Sequence, residues 1–173
     1  VLRTGQSLST EWTVQAPVTA PPGRYVLDAR TTYRPEASVT YQLEVLVPDP
    51  APRADAYLSD LPWLRTENGW GPVERDRSNG ENTGGDGNVM TINGVTYAKG
   101  LGAHSPGVIE FYVAEHCTSI IADVGVDDEQ GANGTVAFEI WADATKVAES
   151  GTLTNLQPAK PITADITGST MVR

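Results

Sequence analysis

Short runs of alternating apolar and polar residues, separated by glycine, proline and asparagine, follow one another along most of this chain. Alternating side chains lie on opposite faces of a strand, so each run predicts a half-buried β-strand. No segment has the period of an amphipathic helix. The 17 glycines and 12 prolines among 173 residues exceed average usage, which favours many turns. The chain is therefore predicted to be all-β.

The predicted strands fall into an early and a late group, separated by a proline-rich segment. Asn93-Gly94 lies between two of the late strands and is the strongest short signal for a β-hairpin. In the strand 135–141, Val136, Phe138 and Ile140 should share one face. The early strands are 8–14, 23–29 and 39–47, and the late ones are 89–92, 95–97, 108–113, 119–126, 135–141, 146–149 and 160–166.

The proline-rich segment 48–53 predicts a stiff linker between two domains. Residues 1–47 hold about three strands, roughly half of an immunoglobulin-like sandwich, and are expected to be a partial domain of that kind. Residues 54–173 hold many short strands spaced by turns, which predicts a β-sandwich of jelly-roll type. The expected fold class is thus a jelly-roll-type β-sandwich preceded by a partial immunoglobulin-like β-sandwich.

Charge and hydropathy exclude two classes of partner. The net charge of -10 argues against nucleic acid, because a phosphate backbone needs a basic surface. No apolar run is long enough to cross a bilayer as a helix, so membrane insertion is not expected. The single cysteine, Cys117, cannot form a disulfide within the chain, and we interpret it as a buried thiol.

The loop 68–81, NGWGPVERDRSNGE, is rich in turn residues yet carries a tryptophan and five charged side chains. A sugar presents an apolar face of C–H groups and a rim of hydroxyls, so its site needs an aromatic ring beside carboxylates and amides. The alternative is a structural loop in which the tryptophan plugs the sandwich and the charges pair with one another. The candidate sugar-binding residues of this loop are Trp70, Glu74, Arg75, Asp76, Asn79 and Glu81.

His104 lies in a glycine-rich turn, where its ring N–H could donate to a sugar hydroxyl or hold the turn together. Glu74 and His104 are expected to lie on open turns and to matter for sugar more than for folding. A zinc site is not expected, because the other histidine, His116, follows the next predicted strand.

Asp127, Asp128 and Glu129 form an acidic turn with three interpretations. They could bind a structural calcium, although the pattern of an EF-hand is missing. They could supply a pair of catalytic carboxylates, or they could form a solvated turn between two strands. No nucleophile elbow, HExxH motif or P-loop is present, so the chain is expected to be non-catalytic.

Three segments in this order, 68–76, 99–105 and 123–129, resemble motifs of the NPCBM family, the carbohydrate-binding modules appended to bacterial glycoside hydrolases. The similarity runs from about residue 55 to the end. The first 47 residues resemble the end of a NEW3 domain, mainly through the turn Pro22-Gly23-Arg24-Tyr25.

The resemblance implies a non-catalytic β-sandwich module that binds terminal galactose-type sugars. It also implies an attached catalytic domain, such as an α-galactosidase, in a secreted bacterial protein, together with one structural calcium. The family would add closing strands after Arg173, so the module is expected to be truncated at its C-terminus. A structural spacer without ligand, and a glycosidase fragment contributing carboxylates, remain the alternatives.

Overall fold

The computed structural model describes residues 13–14, 20–34 and 37–173. Most of the predicted strand 8–14 lies outside these residues. The chain divides after Asp49 into two compact units.

The first unit contains an antiparallel hairpin of β1 (Gly23–Arg34) and β2 (Ala37–Val47). Leu27 lies opposite Leu43, so apolar side chains of the two strands share a face. The predicted strands 23–29 and 39–47 are confirmed, and the first is longer than predicted. The assignment of this unit to an immunoglobulin-like domain stays a prediction.

The second unit is built from short strands, with a one-turn 3₁₀ segment at Leu58–Asp60 and a six-residue 3₁₀ segment, kinked at Gly131, at Asp128–Asn133. Its strands within the described residues are β3 (Arg65–Glu67), β4 (Glu74–Arg75), β5 (Met90–Ile92), β6 (Val95–Tyr97), β7 (Leu101–Gly102), β8 (Val108–Tyr112), β9 (Ser119–Val124), β10 (Thr135–Ala142), β11 (Thr145–Thr154), β12 (Lys160–Asp165) and β13 (Met171–Val172).

These strands pair antiparallel into one larger sheet and three small ones. The five-stranded sheet has the order β11-β10-β13-β8-β3, and the pairs are β9 with β12, β4 with β7, and β5 with β6. The β5–β6 hairpin turns at Asn93 and Gly94, whose φ angles of 49° and 80° give the left-handed turn that Asn-Gly predicts.

The core lies between the five-stranded sheet and the β9–β12 pair, which makes this unit a β-sandwich. Along β10, Val136, Phe138 and Ile140 are less exposed than their neighbours, as their alternation predicts. The all-β fold class is confirmed. The buried residues of the core are Phe111, Val113, Ile140, Ala142, Ile162, Ala164, Ile166 and Val172.

None of the helical segments in the described part of the chain is long and apolar enough to span a bilayer.

Candidate functional site

A cleft of about 480 Å³ opens between the long loop that joins β3 to β5 and the 3₁₀ turn after β9. Three of the predicted sugar-binding residues line it, namely Trp70, Asn79 and Glu81. A volume of this order suits a small ligand such as one or two sugar rings.

The side chain of Asn68 holds the beginning of the loop. Its Nδ2 donates to the carbonyl oxygen of Trp70 at 2.7 Å and to Asn79 Oδ1 at 2.7 Å. Its Oδ1 accepts the backbone N–H of His104 at 2.6 Å. One amide therefore ties together three of the residues that the sequence marks as candidates.

Close backbone approach keeps the loop compact. Gly71 has a φ of 64°, and a Cβ at this position would lie 2.2 Å from the carbonyl oxygen of Gly80. Only glycine fits at this position, because the backbone is left-handed and there is no space for a Cβ atom. The loop is thus a defined surface rather than a loose connection.

Trp70 is 50% exposed, and its ring meets that of His104 edge to face. Such a half-exposed indole differs from the buried plug of the structural alternative. The Nδ1 atom of His104 is buried and has no hydrogen-bond partner among the described residues. His104 does not line the cleft itself but packs behind the Trp70 ring, which does.

The side chains of Asn79 and Glu81 differ in how many of their polar atoms are already hydrogen-bonded within the protein. The Asn79 amide donates to the carbonyl oxygens of Trp70 and Gly80, at 3.0 and 3.1 Å, and accepts from Asn68. Its role in the loop is therefore largely structural. Glu81 is exposed, and its carboxylate has no hydrogen bond to another described residue.

Glu74 does not line the cleft. It is only 2% exposed, and both of its carboxylate oxygens accept the backbone N–H of Gly85, at 2.8 and 2.7 Å. The expectation that Glu74 lies on an open turn is wrong, because β4 pairs with β7 and directs the side chain inward. Glu74 holds the turn at Gly85, next to Asp86, which does line the cleft.

Arg75 and Asp76 bind other parts of the protein. Arg75 donates to the carbonyl oxygen of Ser59, and its guanidinium carbon lies 3.7 Å from the centroid of the Trp63 ring. Asp76 accepts from Lys99 Nζ at 2.6 Å, and this hydrogen bond, more than any other contact, lowers the pKa of Asp76 to about 2. Neither residue lines the cleft.

The carboxylates of the acidic turn have separate partners. Asp127 accepts the backbone N–H of Thr91 at 3.0 Å, whereas Asp128 accepts those of Asn93 and Gly94, at 2.8 and 2.9 Å. These two residues fasten the β5–β6 hairpin to the turn. Their carboxylates accept hydrogen bonds from backbone N–H groups that lie 34 to 36 residues earlier in the chain.

Glu129 points in another direction and lines the cleft. Its carboxylate accepts from the hydroxyl of Ser78 at 2.8 Å and from the Asn88 amide. Among the described residues, no three His, Cys, Asp or Glu side chains lie together as metal ligands. Calcium binding by Asp127, Asp128 and Glu129 therefore stays a prediction.

Sequence reasoning missed several cleft residues. Three of them lie directly after the predicted loop, in a polar, glycine-rich stretch whose composition is the signal that could have extended it. Gln130 comes from the acidic turn, far away in sequence, and nothing in the sequence joins it to the loop. The missed lining residues are Gly80, Asn82, Asp86, Asn88 and Gln130.

Residues 54–173 match the model of the NPCBM/NEW2 domain family. The chain belongs to this family. The predicted NPCBM resemblance is therefore confirmed for the second unit, whereas the NEW3 assignment of the first 47 residues stays a prediction.

A relative of the NPCBM/NEW2 chain is the "Putative endo-alpha-N-acetylgalactosaminidase" of Renibacterium salmoninarum, 37% identical over 178 residues. The match covers 99% of this chain but 12% of that protein. The chain thus corresponds to a small part of its relative.

Two solved structures from Clostridium perfringens resemble the NPCBM/NEW2 chain. A CBM51 domain of GH95, in complex with methyl-galactose, has a TM-score of 0.60 at 31% identity and covers 68% of this chain and 82% of its own. The CBM51-2 and INT domains of ZmpB have a TM-score of 0.60 at 24% identity, covering 87% of this chain and 32% of theirs. The second likeness shows the fold alone. Together with the family match, the first supports assignment of the NPCBM/NEW2 domain as a carbohydrate-binding module.

Proposed function

We propose that the NPCBM/NEW2 domain binds a terminal galactose-type sugar in the cleft beside Trp70, without catalysing a reaction. Its role is to hold an attached glycoside hydrolase of a secreted bacterial protein on glycans. The observation that carries this proposal is the half-exposed Trp70 ring at the edge of a polar cleft.

The chemistry of the cleft suits a sugar. The Trp70 indole offers a flat surface on which the C–H face of a pyranose can stack, next to the edge-on ring of His104. The amides of Asn82 and Gln130 can donate to hydroxyls, and the carboxylate of Glu81 can accept from them. Asn68 fixes the backbone at Trp70 and the Asn79 side chain, so little ordering of this side of the cleft is needed when a ligand binds.

The choice of galactose rests on the relatives. The CBM51 domain of GH95 was solved with methyl-galactose, and the Renibacterium protein carries the name of an enzyme that acts on N-acetylgalactosamine linkages. A module joined to such an enzyme raises the effective concentration of glycan at the active site, because the second binding event becomes intramolecular.

The carboxylates of the cleft do not resemble a glycosidase pair. A general acid needs an apolar pocket that raises its pKa. Backbone N–H groups, first that of Thr83 and then that of Asn82, instead lower the pKa of Asp86. Glu129 accepts hydrogen bonds from Ser78 and Asn88, so polar groups surround its carboxylate in place of an apolar pocket.

Calorimetric titration with methyl galactoside tests the proposal, with methyl glucoside as the comparison sugar. We expect a dissociation constant between about 1 µM and 1 mM, as for one shallow site. Trp70→Ala should weaken binding about tenfold or more, because the stacked surface is lost. Tyr41→Ala is the matched control, since it removes an exposed aromatic ring from the first unit.

Two other outcomes would favour the alternatives. Absence of binding to any sugar on a glycan array would favour a structural spacer. Turnover of a chromogenic galactoside, lost in Asp86→Asn or Glu129→Gln, would favour a glycosidase fragment.

A further inference from the structure

The wall of the cleft is acidic. It contains the carboxylates of Glu81, Asp86 and Glu129, and no Lys, Arg or His side chain of the described residues lines it. None of the three takes part in an ion pair within the described part of the chain. Their charge is therefore directed at whatever enters the cleft.

Neutral donors hold two of these carboxylates, those of Glu129 and Asp86, in place without cancelling their charge. Glu129 accepts from the Ser78 hydroxyl and the Asn88 amide, and Ser78 is 2% exposed, so its position is fixed. Asp86 accepts the backbone N–H groups of Asn82 and Thr83, both at 3.0 Å. Each carboxylate keeps lone pairs that these contacts do not use.

We propose that this cleft selects sugars by charge: it takes neutral sugars, favours those with an ammonium group, and disfavours those that carry carboxylate or sulfate. The inference rests on the proposed function, because the cleft and Trp70 define the site and the carboxylates set only its electrostatic potential. The overall net charge of -10 adds to the same potential at longer range.

The physical reason is the mismatch of groups as well as the repulsion. An ionised carboxylate can only accept hydrogen bonds, so it offers nothing to a second carboxylate or to a sulfate. An ammonium group donates three hydrogen bonds and gains from the opposite charge. Exposed charge pairs are weak individually, but three carboxylates line the cleft, so together they should give a preference of about three- to tenfold for each change of ligand charge.

Four galactose derivatives that differ mainly in charge test the proposal on the full chain. They are methyl galactoside and N-acetylgalactosamine, which are neutral, 2-amino-2-deoxygalactose at mildly acidic pH, which is cationic, and galacturonic acid, which is anionic. We expect the amino sugar to bind about three- to tenfold more tightly than its N-acetylated form, and galacturonic acid to bind about three- to tenfold more weakly than methyl galactoside. Added salt should reduce both ratios.

Charge-neutralising variants locate the effect. Glu81→Gln is the main variant, because the Glu81 side chain has no described hydrogen bond that the change would break. It should bring the affinity ratio of galacturonic acid to methyl galactoside closer to one. Asp123→Asn, on the exposed face of β9, removes the same charge outside the cleft and should leave this ratio unchanged.

The possible outcomes distinguish failure of charge selection from failure of sugar binding itself. If galacturonic acid binds as tightly as methyl galactoside, charge selection is overturned and sugar binding stands. If Asp123→Asn changes the ratio as much as Glu81→Gln does, selection by the cleft wall is overturned in favour of net charge. If only the amino sugar binds, the preference for an ammonium group stands, and binding of neutral galactose-type sugars is overturned. If none of the four sugars binds, both ideas fall.

Discussion

The rings of Trp70 and His104 meet edge to face, with their centroids 5.9 Å apart and their planes at 85°. The side chain of Asn68 joins the same two residues through the backbone, since it donates to the Trp70 carbonyl and accepts the His104 N–H. The indole is thus oriented before any ligand arrives, and this preorganisation lowers the entropy cost of binding.

His104→Ala should weaken sugar binding about two- to tenfold, because edge-to-face pairs contribute about 0.5–1.5 kcal/mol and orient the indole. The backbone bond to Asn68 survives the change, so the melting temperature should move little. Calorimetry with methyl galactoside measures the effect, and His116→Ala, at an exposed position, is the control. Equal affinity of the wild type and His104→Ala would contradict an orienting role.

Gly71→Ala should destabilise the second unit by about 1–3 kcal/mol, since the backbone is left-handed there and Gly80 leaves no room for a Cβ. Gly84→Ala is the matched control, because nothing lies within 4 Å of its Cβ position. Urea denaturation compares the two variants. A Gly71→Ala protein as stable as Gly84→Ala would show that the loop adapts.

Glu74→Ala should lower the free energy of unfolding by about 1–3 kcal/mol, because the backbone N–H of Gly85 loses its buried acceptor. Glu74→Gln keeps an acceptor oxygen and should lose less. Glu81→Ala, at an exposed position in the same loop, should leave stability unchanged. If Glu74→Ala is fully stable but binds sugar poorly, the structural role is wrong. Glu74 would then contact the sugar directly.

Acid should weaken the contact between Asp76 and Lys99. The hydrogen bond from Lys99 first, then the Ser59 side chain and the backbone N–H of Gly100, lower the pKa of Asp76 from 3.8 to about 2. The stabilisation is complete above the unfolded value and is lost as pH falls from about 4 towards 2. Urea denaturation over this pH range should therefore show a shallower acid loss for Asp76→Asn than for the wild type.

The control for this pH series is Asp55→Asn, because Asp55 is exposed and makes no hydrogen bond to another described residue. Its acid profile should run parallel to that of the wild type. Parallel profiles for Asp76→Asn and the wild type would mean that the bond to Lys99 does not stabilise the fold. Asp76 and Lys99 are 34% and 29% exposed, so solvent screens their contact and its stabilisation should be small.

The strands were predictable because their signals are local. Alternation along β10 and β12 places every second side chain in the core, and the Asn93-Gly94 pair dictates the backbone angles of its own hairpin. The sequence left two interpretations of Trp70, a sugar-binding ring or a buried structural plug, and the half-exposed ring at a ligand-sized cleft favours the first.

The direction of the charged side chains was not predictable, because it depends on partners that are distant in sequence. Glu74, Arg75 and Asp76 are consecutive, yet they turn to Gly85, to Ser59 and to Lys99. An irregular loop has no period that assigns its side chains to a face.

The amino-acid sequence by itself determined the all-β architecture, the hairpin register at Asn93-Gly94 and the loop that carries Trp70. Only the tertiary structure decided which acids face the cleft: it brought Glu129 to Ser78 and Asn88, and turned Glu74 into the interior. Strand patterns arise from a backbone geometry that repeats every second residue. The orientation of a loop carboxylate is set by whichever donor the folded chain places beside it.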